Sequence, residues 1–407
     1  MGPLAGIKVL DLSRVLAGPW ATQALADFGA TVWKVEKPGS GDDTRSWGPP
    51  WLKDRDGRDT GESAYYLSTN RGKHSLAIDI ANPDGQRLVR ALAARADVLV
   101  ENFKVGGLAK YGLGYADLAT LNPRLVYCSI SAYGQDGPEA QGAGYDAMIQ
   151  GKGGLMSLTG VPDGEPGGGP QKVGVAVVDL MTGMYAVAAI AAALYERTHS
   201  GLGQHIDLAL LDTQVGWLAN QNLNYLLTGK APARQGTAHP NIVPYQAFGT
   251  RDGHLMLAIG NDRQFAAFAE LAGRAELARD PRFATNAARV RHRAILVPIV
   301  AGLLAARGTR EWIELLTPAA VPCGPINDLA AVFDEPQVRH RQLRIDLAHP
   351  LSGEVPQVRN PTRYSRSALE YRQAPPLLGE HTGAVLEAEL GLGPAELAAL
   401  KGSGAVG

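Results

Sequence analysis

Residues 175–197 read VAVVDLMTGMYAVAAIAAALYER, apolar almost throughout until the closing Glu-Arg, and one carboxylate, Asp179, interrupts the start. An aspartate where a short β-like run turns helical can cap the helix, accepting free N–H groups for ~1 kcal/mol. The run that follows is apolar on nearly every face, so the helix reads as interior, where a carboxylate is costly unless satisfied. An acid at a deep helix start is also available as a nucleophile or base. The two readings are compatible, because N–H groups that cap a carboxylate can also stabilise negative charge developing beside it.

Other chemistry-bearing residues lie upstream. The turn GSGDDTR (39–45) places Gly39, Gly41 and Arg45 where an anion could approach, although a polar loop after a strand explains it equally. No Gly-Lys-Ser/Thr follows, so it is not a nucleotide P-loop, and no GxGxxG follows the first strand, which disfavours a nicotinamide enzyme. Lys37, Lys73 and Lys110, with Phe103, Tyr111 and Tyr145, are of the types that hold an adenine ring and phosphates. The GxSxG elbow of α/β-hydrolases is absent. The nine histidines and two cysteines, Cys128 and Cys323, form no metal-ligand or redox spacing.

The elements that must position these residues alternate. IKVLDLS (7–13), TVWKVEKP (31–38), HSLAIDI (74–80), DVLVENF (97–103), RLVYCSISAYG (124–134) and QHIDLAL (204–210) read as strands. Helices are predicted over 17–30, after Asn82-Pro83 as N-cap and first helical residue, over 115–121, and from Asp179 onward. Strands and helices at this spacing build βαβ units and a parallel sheet, an α/β fold whose ligands bind at the C-terminal strand ends. That directs attention to 13–18, 36–41, 102–103 and 131–134. Residues 141–172 read as a Gly-rich loop, and 229–248 as a linker to a second unit with helices over 289–306 and over 309–316, the latter capped by Thr309.

A net charge of −1 over 407 residues argues against a nucleic-acid or polybasic membrane surface. With 45% hydrophobic residues a large core forms. Two distant cysteines and an N-terminus without signal-peptide character point to a reducing, cytoplasmic setting. The run at 184–194 reads as too short to span a bilayer.

The stretches GIKVLDLSRVLAGPWATQALADFGATVWKVEKPGSGDDTR, VENF, GYDAMIQGKGGLMSLTG, VVDLMTG and PPLLGEHT together resemble the class III CoA-transferases, the formyl-CoA and carnitine CoA-transferase group, in order over essentially the whole chain. Within that family YYLSTNRGKHS, GTAHPNIVPYQAF and PCGPIND are most similar to the succinyl-CoA:glutarate (hydroxymethylglutarate) transferases. The resemblance implies a Rossmann-like large domain with a parallel sheet (1–228 and 330–407), an inserted small α/β domain with its linker (229–329), and an interlocked homodimer. It implies transfer of CoA from an acyl-CoA such as succinyl-CoA to a dicarboxylate such as glutarate, through an aspartyl-CoA thioester on Asp179. Acyl-CoA and coenzyme A would then be substrates, with no prosthetic group and no metal.

By the same resemblance, CoA contacts fall on Val15, Leu16, Ala17, Lys37, Tyr65, Ile78, Asn102, Phe103, Lys110, Tyr111 and Tyr145. Lys37 stands where the family has an arginine, without its bidentate fork, and Ala81 stands where it has a lysine. Oxalate-using members carry a glycine run where this chain has GTAHPNIVPYQAF, which argues against oxalate. A dicarboxylate's distal group needs a cation, and Arg45 and His239 are the candidates. The family also holds α-methylacyl-CoA racemases, which pair the aspartate with a histidine in GHD. Here the motif is Gly144-Tyr145-Asp146, and tyrosine, with an ordinary pKa of about 10, is a poor second base. Racemase or epimerase, and a non-catalytic CoA-binding protein in which Asp179 is only a cap, are the alternatives.

Overall fold

The computed structural model describes residues 1–369 and 371–407. The chain forms two compact units, one made of residues 1–155, 173–223 and 340–407, the other of 156–172 and 224–339.

The first unit is built on six parallel strands: β1 (Lys8–Asp11), β2 (Thr31–Glu36), β3 (Lys73–Ala77), β4 (Val98–Glu101), β5 (Val126–Ser131) and β6 (His205–Ala209). Their spatial order is β3-β2-β1-β4-β5-β6. Leu10 pairs with Trp33 on one side and Leu99 on the other. Strands buried on both faces are rich in apolar residues, and those that depart from this need partners. Leu10, Trp33, Leu76, Leu99 and Tyr127 point into one core layer, and Val9, Val32, Val98, Val100 and Val126 into the other. In this order the connections diverge between β1 and β4, opening a crevice beyond their C-terminal ends.

Helices α1 (Ala17–Asp27) and α5 (Val177–Ser200) belong to one layer, and α2 (Pro83–Ala93) to the other. α3 is Tyr115–Leu121, α4 Asp146–Lys152 and α6 Leu210–Trp217. Asn82 caps α2 as its sequence predicts, Oδ1 accepting the Asp84 N–H at 2.9 Å with Pro83 in the first turn. α5 has 24 residues and contains an 18-residue window of mean hydropathy 1.9, long and apolar enough by length and composition to cross a membrane. That exceeds the 184–194 run because the helix includes flanking residues such as Val177 and Leu180. It is a core helix here, burying Val178, Ala186, Ile190 and Ala193.

The α1 and α5 helices approach closely at Gly183, where an added Cβ would lie 2.7 Å from the Ala17 carbonyl oxygen. The C-terminal segment lies along edge strand β3, with His381 N–H donating to Ser75 O at 3.0 Å and Gly407 N–H to Ala77 O at 3.0 Å.

The second unit has a three-stranded sheet, Cys323–Pro325, His254–Ala258 and Tyr245–Gly249, over a core that includes Phe265, Phe268 and Trp312. The helix predicted over 289–306 is two, Asn286–Arg291 and Arg293–Leu304. Thr309 is the first residue of its helix, not the cap. The cap position is Gly308, whose N–H donates to Glu311 at 2.7 Å. The predicted loop 141–172 contains α4, because Gly151 within it and glycines at 142, 144 and 153 around it hide a short helix from pattern reading.

Gly183→Ala should cost about 1–3 kcal/mol, since backbone at 2.7 Å has little room to yield. A lowered denaturant midpoint with unchanged m-value checks this.

Candidate functional site

The turn after β1 is held by side chains. Asp11 Oδ1 accepts the Ser13 N–H at 2.9 Å and its hydroxyl at 2.5 Å. Asn102, from the loop after β4, accepts the Arg14 N–H at 2.9 Å and donates to Arg14 O at 2.7 Å, spanning the β1–β4 crevice. Asp42, after β2, accepts the Val15 N–H at 3.2 Å. Val15 has φ 70°, a conformation that costs a β-branched residue about 1–3 kcal/mol. α1 starts two residues later with no side-chain cap. Among the described residues no acceptor takes the N–H groups of Leu16 or Ala17.

Asp179 is the third residue of α5, whose cap position is Ala176. It is not the capping group. Asp146, at the start of α4, extends Oδ1 to the N–H groups of Val178 at 2.7 Å and Asp179 at 3.4 Å. Gln150 donates to the other oxygen, Oδ2, at 2.6 Å, and its own Oε1 accepts the Val173 N–H. The Val177 and Leu180 N–H groups go to Val175 O and Ala176 O. Asp179 is left part-buried, its carboxylate accepting no hydrogen bond among the described residues. Burial, and then the Asp146 charge, push its pKa up to about 7. Tyr65 feels the same surroundings: burial first, then the charges of Asp179, Asp146 and Asp42 raise its phenol to about 12. Its ring meets Trp47 edge-on at 5.0 Å.

Asp179 lines a cavity of about 210 Å³ with Val15, Leu16, Ala17, Asn102, Phe103 and Tyr145. A second cavity, of about 690 Å³, is lined by Lys37, Ile78, Ala81, Lys110 and Tyr111, with Lys110 Nζ 4.7 Å from the Tyr111 ring centre. Arg14, Asp43, Phe103 and Lys104 line both, so the two form one groove over the C-terminal ends of β1, β2 and β4. Arg14 pairs with Asp43 at 2.9 Å and sits 5.3 Å over Phe103. Arg14, Lys104 and the capping role of Asp146 were not anticipated. Strand-end position pointed at residue 14, but nothing local marks Asp146 as the cap of a helix 31 residues downstream.

Three expected cations take other roles. Arg45, expected at a substrate carboxylate, is buried and consumed by Glu36 at 2.7 and 2.9 Å, Tyr66 at 2.6 Å, Pro376 O at 3.0 Å and Glu62 at 3.2 Å. Lys73, expected near the ligand edge, is fully buried beneath the turn, on Asp11, Pro19 O and Asn70. Burial lowers its pKa to about 8 despite Asp11. His239, in the second unit, stacks on Tyr245 and accepts the Asn241 N–H through Nδ1. Burial and then Arg293 lower its pKa.

Residues 4–382 match the sequence model of CoA-transferase family III. Succinate--glutarate CoA-transferase of Agrobacterium fabrum is 51% identical over 94% of this chain and 95% of that protein. Succinyl-CoA:glutarate CoA-transferase of Homo sapiens is 45% identical over 95% of this chain and 85% of that protein. The crystal structure of a CAIB/BAIF family protein from Brucella suis superposes with a TM-score of 0.83 at 48% identity, covering 95% of this chain and 99% of that one.

An unfolded chain releases the Asp179 proton near pH 4. Between about 4 and 7 the native state holds a proton the unfolded state lacks, so stability falls as the pH rises through that window. Asp179→Asn is therefore expected to be more stable than wild type at pH 8, by about 1–3 kcal/mol, with the gap closing by pH 4. Urea denaturation at the two pH values measures it.

Proposed function

The chain belongs to CoA-transferase family III and is a transferase; from that premise we propose that it moves CoA from succinyl-CoA to glutarate or a related dicarboxylate, with Asp179 bonded to the transferred groups in turn. The observation that carries the reading is Asp179 itself: a carboxylate with no hydrogen-bond partner among the described residues, facing the cavity at the crevice. The names of the relatives at 45–51% identity support the substrate pair.

In the first step an Asp179 oxygen attacks the thioester carbonyl and the CoA thiolate leaves, giving a mixed anhydride. The thiolate then attacks the Asp179 carbonyl carbon, the donor acid departs, and an aspartyl-CoA thioester remains. The acceptor carboxylate runs both steps in reverse. Protons and electrons balance without a redox partner. A carboxylate is a weak nucleophile, and holding it against the carbonyl supplies about 7–11 kcal/mol of the barrier. Desolvation also denies the carboxylate the water that would blunt it.

The helix-start amides of α5 are taken by Asp146, so the oxyanion falls to the unclaimed amides of Leu16 and Ala17 in the same cavity. The larger cavity, with Lys37 and Lys110, suits the phosphates and Tyr111 the adenine, so that the CoA arm runs past Phe103 toward Asp179. A homodimer fits the exposed apolar side chains of α5 and α6, among them Met184, Tyr185 and Trp217. The free thiols of Cys128 and Cys323 suit a reducing compartment such as the cytoplasm.

Incubation with succinyl-CoA should give an adduct on Asp179 by intact mass and peptide mapping, absent in Asp179→Asn, which should lose more than about 10³-fold in rate. Full exchange by that variant would sink the assignment. Because the nucleophile must be ionised, kcat/KM should rise with pH through about 7. Asp146→Asn, which removes the neighbouring charge, should move that rise to lower pH.

A further inference from the structure

The Val15–Ala17 wall of the Asp179 cavity is a left-handed turn at a valine, which the local sequence does not favour. Every N–H from Ser13 to Val15 is taken by a side chain rather than by backbone, and each of those side chains comes from a different place: Asp11 from β1, Asn102 from the loop after β4, Asp42 from the loop after β2.

Asp42 is built for the task. It is 1% exposed. Its Oδ1 also accepts the Thr44 N–H at 3.0 Å and hydroxyl at 2.8 Å, which fixes the carboxylate's plane. Its Oδ2 accepts from Lys34 Nζ at 2.9 Å, and the same ammonium donates to Ser13 O at 2.9 Å. Lys34 thus grips the turn's carbonyl while its partner grips the turn's amide. Asp42 also lines the larger cavity, as do Lys37 and Arg14.

We propose that Asp42, clamped by Lys34, is a positioning residue of the transfer reaction: it holds Val15 in the left-handed conformation that sets the Val15–Ala17 wall against the acyl group on Asp179. This rests on the transferase reading above. It gives the buried Lys34–Asp42 pair a use that packing alone would not require.

A double-mutant cycle tests it. Asp42→Ala should lower kcat by about 10–100-fold with KM for succinyl-CoA little changed, because a wall shifted by an ångström spoils alignment rather than binding. Asp42→Asn, which keeps the acceptor oxygen, should lose less. Glycine adopts a left-handed φ without strain, so the Asp42→Ala penalty should shrink to under about threefold when both chains compared also carry Val15→Gly. An equal penalty with and without Val15→Gly overturns the proposal. If Asp42→Ala does not fold, Lys34→Met is added to remove the stranded ammonium and the same comparison is made. An inactive wild type would refute the transferase reading instead. The crystal structure of Asp42→Ala then decides: Val15 with φ reverted to negative values upholds the clamp, and Val15 still left-handed overturns it.

Discussion

The hydrogen bond from the Val178 amide to Asp146 decides what Asp179 is. A helix start presents unpaired N–H groups, and the nearest carboxylate ordinarily settles on them. Here Asp146 arrives from α4 and takes that place, with Gln150 holding its other oxygen. Asp179, on the same turn, is left without donors and beside a fixed negative charge. Burial first, and then that charge, favour its protonated form and push its pKa up to about 7. A carboxylate satisfied by its own helix would be stable and unreactive. One displaced by a second carboxylate is poised between charge states where a ligand can meet it.

The opposite wall is fixed by a different economy of charge. Asp11, Lys34, Asp42 and Lys73 are all essentially buried under the turn after β1. Such a cluster costs several kcal/mol of desolvation per ion, and apolar residues would fill the volume as well. What ions add is direction. Asp11 and Asp42 aim acceptors at amides, Lys34 aims a donor at a carbonyl, and the turn acquires a conformation that its own residues resist. Thr22 and Lys73 complete the Asp11 carboxylate at 2.6 and 3.1 Å, so that no member of the cluster lacks a partner.

These walls meet because of topology. The order β3-β2-β1-β4-β5-β6 opens the sheet between β1 and β4, and the Asn102–Arg14 pair bridges that opening. α1 and α5 pack close enough at Gly183 to bring the start of each helix to the same cavity. The groove continues over β2 to Lys37 and Lys110.

Alternating strand-like and helix-like runs, the Asn82-Pro83 start and the Val/Leu-rich strands determined by themselves that this is a parallel α/β protein. Local periodicity carries that information, and Asp179 was conspicuous as the lone charge in an apolar run. The partners of each charge were decided only by tertiary structure. Arg45, Lys73 and Lys37 look alike as letters near strand ends, yet the first two are consumed by buried partners and the third lines the groove. Asp146 and Asp179 lie 33 residues apart, and which of them caps α5 depends on how α4 packs. Hydrogen bonding is short-ranged in space and indifferent to distance along the chain, so no reading of neighbours in sequence could have assigned it.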